Sequence, residues 1–173
     1  PEEVPGDSVP PPTPPPEEPI GTDYEPADER ATSAAPEPFE VDPDARDRAT
    51  RAHAVTQNAL AAAVAARGGR PLRPTAGRPS YDLAWEEPDG PIIVAEVKSL
   101  RPQNIERQLR LGLGQVLRYR NLLEEGGKEV RALLALSGAP HDDRWPTLCA
   151  ALGVGLIWLP DLGPGLDQWL TDS

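Results

Sequence analysis

The chain has 173 residues, a mass of 18.6 kDa and a formal charge of −11, a length that suits one domain of ordinary size. One cysteine, Cys149, excludes an internal disulfide or a cysteine zinc cluster, and two histidines exclude a multi-histidine metal site. The charge is uneven: residues 1–50 hold 14 Asp/Glu against 3 Arg, residues 51–173 hold 14 of each sign, and 13 of the 23 prolines lie in the first 50.

Residues 1–41 read as a disordered, Pro-rich acidic linker. The run Pro10-Pro11-Pro12-Thr13-Pro14-Pro15-Pro16 favours polyproline II, and the flanking acids leave little apolar surface to bury. A sharper reading makes this segment a proline-motif ligand, or an acidic competitor for a basic cleft. The absence of methionine and the start at Pro1 predict a part of a longer protein. No apolar run approaches a membrane span and no signal-peptide pattern opens the chain, so a cytoplasmic protein that does not enter a membrane is expected.

Structure is predicted to begin at Asp42-Pro43, a cap followed by a first-turn proline. An Ala-rich helix follows to Gly68-Gly69, with Val55, Leu60 and Val64 near one side. Residues 80–86 suggest a strand, Glu87-Pro88-Asp89-Gly90 a turn, and 91–99 the strongest strand. A helix over Asn104 to Leu123, a strand over Glu129 to Leu136, a short helix over 142–152 and a strand over Gly155 to Leu159 complete the pattern. The remainder reads as a tail. This order predicts an α/β fold, a mixed sheet covered by helices, in a domain spanning 42–173.

Strand 91–99 alternates Ile92, Val94, Glu96 and Lys98 on one face with Ile93, Ala95 and Val97 on the other. Both faces are apolar, which predicts a central strand where charges need partners or a metal. If the hairpin folds about Asp89, Asp82 lies opposite Glu96. Two facing carboxylates repel unless a cation sits between them, and Mg²⁺ takes such hard oxygen ligands. Lys98, on the same face, would orient a water or stabilise developing phosphoryl charge. The simpler alternative is a solvated hairpin face with a Glu–Lys pair.

Asp82, followed after thirteen residues by Glu96-Val97-Lys98, resembles the PD-(D/E)XK nuclease superfamily with its restriction-endonuclease-like fold. That family's core runs helix, three strands, helix, strand, and Arg70 to Thr75 would supply the short first strand. Gln115-Val-Leu-Arg-Tyr119 is similar to the Gln-x-x-x-Tyr motif of the RecB-type branch, with Gln108 and Gly112 on the same helix face. The resemblance implies that Asp82 and Glu96 bind Mg²⁺ (or Mn²⁺), with the Val97 carbonyl as a further ligand. It implies that Lys98 positions the attacking water and that Gln115 and Tyr119 hold the nucleic-acid strand. The implied activity is a nuclease or endonuclease hydrolysing DNA phosphodiesters, in repair or in defence against foreign DNA. A homodimer is compatible with it.

One departure stands out. Many members carry a first-helix glutamate, whereas here His53-Ala-Val-Thr-Gln57 has no acid, and Gln57 is the expected occupant. That departure supports an alternative, a catalytically inactive nuclease-fold module that binds nucleic acid or protein. Arg70, Arg73 and Arg78 before the hairpin, and Arg101, Arg107, Arg110, Arg118 and Arg120 around the second long helix, suit phosphate contacts. Overall neutrality of 51–173 predicts weak intrinsic affinity, with targeting from an attached domain or partner. Cys149 is expected in the core with Leu148 and Leu152, and Trp169 to dock back or meet a partner.

Overall fold

The computed structural model describes residues 20–30, 43–75, 79–88 and 90–172, with side chains of the first helix described from Arg48 onward. The polyproline run, the Asp42 cap, Arg78 and Asp89 lie outside the described residues.

Six strands and four helices are formed among the described residues. In chain order they are β1 Thr22–Asp23, α1 Pro43–Ala66, β2 Leu72–Arg73, β3 Leu83–Glu86 and β4 Ile92–Lys98. There follow α2 Ile105–Glu124, β5 Val130–Leu136, α3 Arg144–Ala151, β6 Val154–Trp158 and α4 Leu162–Thr171. The strands form one mixed sheet in the order β1 to β6. Pairing is antiparallel from β1 through β4 and parallel for β4·β5 and β5·β6. Each parallel step needs a crossover, supplied by α2 and α3.

The sheet is apolar on both faces and helices cover both, giving an α/β sandwich of three layers. On one side Ile92, Val94, Leu134 and Leu136 pack against Leu109, Val116 and Leu123 of α2 and Trp145 and Cys149 of α3. On the other, Ile93, Ala95, Val97 and Leu133 pack against Leu60 and Val64 of α1 and Leu162 and Leu166 of α4. Side chains such as Leu60, Ile93 and Leu133 are fully buried, and each contributes about 2 kcal/mol by leaving water. The expected alternation of β4 over two buried faces is therefore observed.

Three expectations need correction. Residues 20–30 belong to the folded part, although their composition predicts linker. Ile20 is buried, Thr22 and Asp23 pair with Arg73 and Leu72, and the Tyr81 hydroxyl donates to the Ile20 carbonyl at 2.5 Å. The expected tail forms α4, which buries Leu162 and Leu166 and ties to Arg67, just past the end of α1, through an Arg67–Asp167 ion pair. Pro164 sits in its first turn, where an N–H would have no helical partner anyway. Finally, Val55, Leu148 and Leu152 are exposed rather than packed with their neighbours. Cys149 is in the core as expected, and burial pushes its thiol up to about 11. Alkylation at pH 8 is accordingly expected to spare Cys149 in the native chain and to proceed in denaturant. Rapid labelling of the folded protein would contradict that burial.

Trp169 docks back onto the sheet. A Cβ at Gly155 would come within 2.5 Å of its indole, so glycine is what lets α4 close on β6. No helix among the described residues is long and apolar enough to cross a membrane.

Candidate functional site

The site forms where β3 begins and β4 ends. Leu83 pairs with Ala95 and Ala84 with Val94, the register that follows from folding the hairpin about Asp89. The Asp82 N–H continues it, donating to the Ala95 carbonyl at 3.2 Å. Asp82 Oδ2 in turn accepts the Val97 N–H at 2.7 Å, which fixes the carboxylate beside the Glu96–Val97–Lys98 segment.

Glu96 is only 3% exposed, in a strand otherwise apolar up to Lys98. Lys98 Nζ donates to Glu96 Oε1 at 2.5 Å. Glu96 Oε2 is buried and has no hydrogen-bond partner. Burial pushes the Glu96 carboxyl up to about 7, the Asp82 charge adds to this, and Lys98 and His53 oppose it. Asp82, Glu96, Lys98 and His53 thus share one electrostatic environment, the first three brought together by the hairpin and His53 by α1.

α1 and α2 supply the walls. Gln57 Nε2 donates to the Asp82 main-chain carbonyl at 2.7 Å. It therefore anchors the strand rather than facing the carboxylates in place of a first-helix acid. The residue that reaches the Asp82 side chain is His53, with Nε2 at 3.3 Å from Oδ1. This contact raises the His53 pKa, against the lowering effect of burial. Sequence reasoning passed over His53. The available signal was its spacing of four from Gln57, which puts both on one helix face.

On α2, Gly112 lets the helix approach β4: a Cβ there would lie 2.7 Å from Leu134 Cδ1 and 2.9 Å from Lys98 Cγ. Gly112→Ala is expected to move Lys98 and to cost about 1–3 kcal/mol, read by urea melts. An unchanged midpoint would contradict the packing. Gln115 and Tyr119 share the expected face, and the amide donates to the Tyr119 hydroxyl at 3.4 Å. Burial raises the Tyr119 pKa, and the charges of Glu96 and Asp82 add to the rise, so the phenol lies in the field of the two carboxylates.

A strap from the N-terminal segment closes the α1 side. The Tyr24 hydroxyl donates to Asn58 Oδ1 at 2.5 Å, and Asn58 also bonds the main chain of Ala27. Burial raises the Tyr24 pKa, and the Asp82 charge adds to the rise. No sequence signal marked it, since two strand residues amid prolines and acids carry no periodicity.

The arginines are partly committed elsewhere. Arg70 pairs with Asp23, Arg73 with Glu25 and Arg110 with Glu106. Arg120 Nη1 donates to the carbonyls of Leu152 and Gly153, and Arg118 Nη1 to Asn121 Oδ1.

Among the described residues, no three or more His, Cys, Asp or Glu side chains form a ready-made metal cluster. Two carboxylates are nonetheless what Mg²⁺ uses when waters and substrate phosphates complete its shell. The unpartnered Glu96 Oε2 is the atom such an ion would satisfy. Compared with known proteins, the chain matches no protein-family model, no curated protein and no solved structure.

Proposed function

We propose that this chain is a divalent-metal-dependent nuclease domain with the restriction-endonuclease-like fold, of the PD-(D/E)XK class and its RecB-type branch, hydrolysing DNA phosphodiesters in repair or defence. The observation that carries this reading is Glu96: a carboxylate buried in a central strand, one oxygen on Lys98 and the other unpartnered. A merely structural Glu–Lys pair in the interior would be expected to satisfy both oxygens, because an unsatisfied buried acceptor costs about 1–3 kcal/mol. The order α1, β2, β3, β4, α2, β5 also agrees with that family's core.

Asp82 and Glu96 would hold the ion, which when bound supplies charge neutralisation at the scissile phosphate. Lys98 holds the attacking water by hydrogen bonding from Nζ and draws off negative charge as the new bond forms. Gln115 and Tyr119 donate to phosphate oxygens and keep the strand aligned along α2. Asp82 is kept in place by the Val97 N–H and by Gln57 at its own carbonyl. With several arginines already paired, affinity for DNA is weak, and a linked domain or partner supplies targeting.

A second reading is a silent domain of the same fold that binds nucleic acid or protein. It is favoured by the polar contacts that both Asp82 oxygens already make, with the Val97 N–H and with His53. Incubation of the chain with end-labelled single- and double-stranded DNA separates the two. Products that need Mg²⁺ or Mn²⁺ and vanish in EDTA are expected. Binding without cleavage under every metal condition would favour the silent module.

A further inference from the structure

We propose that the β6 edge is a homodimer interface, through which two copies of the chain join their sheets by antiparallel β6–β6 pairing. The two edges of the sheet differ sharply. At one, β1 is two residues long and carries Asp23 in an ion pair with Arg70, devices that discourage further pairing. At the other, β6 runs Val154-Gly-Leu-Ile-Trp158 with no charge and no proline, and among the described residues no strand pairs with its outer side. An apolar edge of this kind is a template for another strand.

The surroundings agree. A groove of about 1060 Å³ runs along β6 between α3 and α4, away from the Asp82–Glu96–Lys98 site. α3 lends Pro146 and Ala150 to its wall, and Leu148 of α3 and Leu152 just past its end are two of the four large apolar side chains left exposed among the described residues.

Charge selects a second copy of the chain. Arg120 holds the Val154 end of the groove through the Leu152 and Gly153 carbonyls. Asp161 follows the Trp158 end, and its side chain makes no capping bond to α4. Arg131 stacks over Trp169 at 4.2 Å, with Glu129 also lining the groove; Asp172 adds one acid at the far end of α4. Antiparallel pairing about a two-fold axis sets the Val154 end of one copy against the Trp158 end of the other. Arg120 then meets Asp161 of the second copy, twice per dimer, as a self-complementary surface requires.

Sedimentation equilibrium of the full chain over a range of micromolar concentrations tests this, with circular dichroism as the check on folding. A monomer–dimer equilibrium is expected. Leu156→Lys, at the centre of β6, should leave a folded monomer, and Asp161→Arg should weaken association about tenfold. Leu156→Cys should cross-link two copies under mild oxidation, because antiparallel pairing brings the strand midpoints together, while the buried Cys149 gives no background. A monomer at every concentration would overturn the proposal. So would a dimer that survives Leu156→Lys and does not cross-link through Leu156→Cys, or a monomer whose β6 edge instead takes up an unrelated extended peptide.

Discussion

Lys98→Ala is expected to abolish DNA cleavage while the chain still folds. Lys98 Nζ stands 2.5 Å from Glu96 Oε1, and its side chain is 13% exposed at the end of β4. Removing a positioned cationic donor from a site where charge develops lowers the rate by roughly 10² to 10³-fold or more. Breaking a buried ion pair usually costs several kcal/mol, because it strands a charge. Here Glu96 has an escape: burial already holds its carboxyl at about 7, and loss of the ammonium pushes it higher, so a proton replaces the lysine near neutral pH. The variant should therefore melt close to the parent at pH 6 and fall behind it as pH rises. Single-turnover cleavage and thermal melts on the same preparations read both effects. Unchanged cutting would assign the activity to another site or to a contaminant.

The second large effect concerns Glu96 itself. Its carboxyl is pushed from the usual 4.5 up to about 7 by burial first and by the Asp82 charge second. The folded state therefore binds this proton more tightly than the unfolded chain does. The stability it contributes is fully present below about pH 4.5 and is lost as pH rises through about 7, a change of about 3 kcal/mol. Glu96→Gln cannot ionise, so the difference between variant and parent isolates the contribution. The variant should be about 3 kcal/mol more stable than the metal-free parent at pH 8.5 and nearly equal to it at pH 4.5. Excess Mg²⁺ at pH 8.5 should stabilise the parent and leave Glu96→Gln unmoved, because only the ionised carboxylate offers the ion a ligand. Parallel urea curves with no pH-dependent gap would contradict the burial argument.

Much of this geometry was legible in the residues. The turn at Glu87–Gly90 and the alternation of β4 set the register Leu83↔Ala95, and with it the meeting of Asp82 and Glu96. The apolar character of both β4 faces announced a central strand, and the spacing of Gln115 and Tyr119 gave a common helix face. Other features depend on contacts distant in sequence. Ile20 is buried because Tyr81 and β2 receive it, which no local pattern among prolines and acids could reveal. Gly163-Pro164-Gly165 reads as a breaker, yet burial of Leu162 and Leu166 carries the helix through. Gln57 was the plausible occupant of the first-helix position, but the start of β3 offered it the Asp82 carbonyl, and His53, one turn earlier, reaches the carboxylate instead.

The most direct measurement is anomalous diffraction from a crystal of the chain soaked in Mn²⁺. A peak within about 2.0–2.3 Å of both an Asp82 and a Glu96 oxygen is expected, with Oε2 of Glu96 among the ligands. Density showing both carboxylates ordered, with no manganese between them at saturating concentration, would contradict a metal-dependent site and leave the buried acid as a purely structural feature.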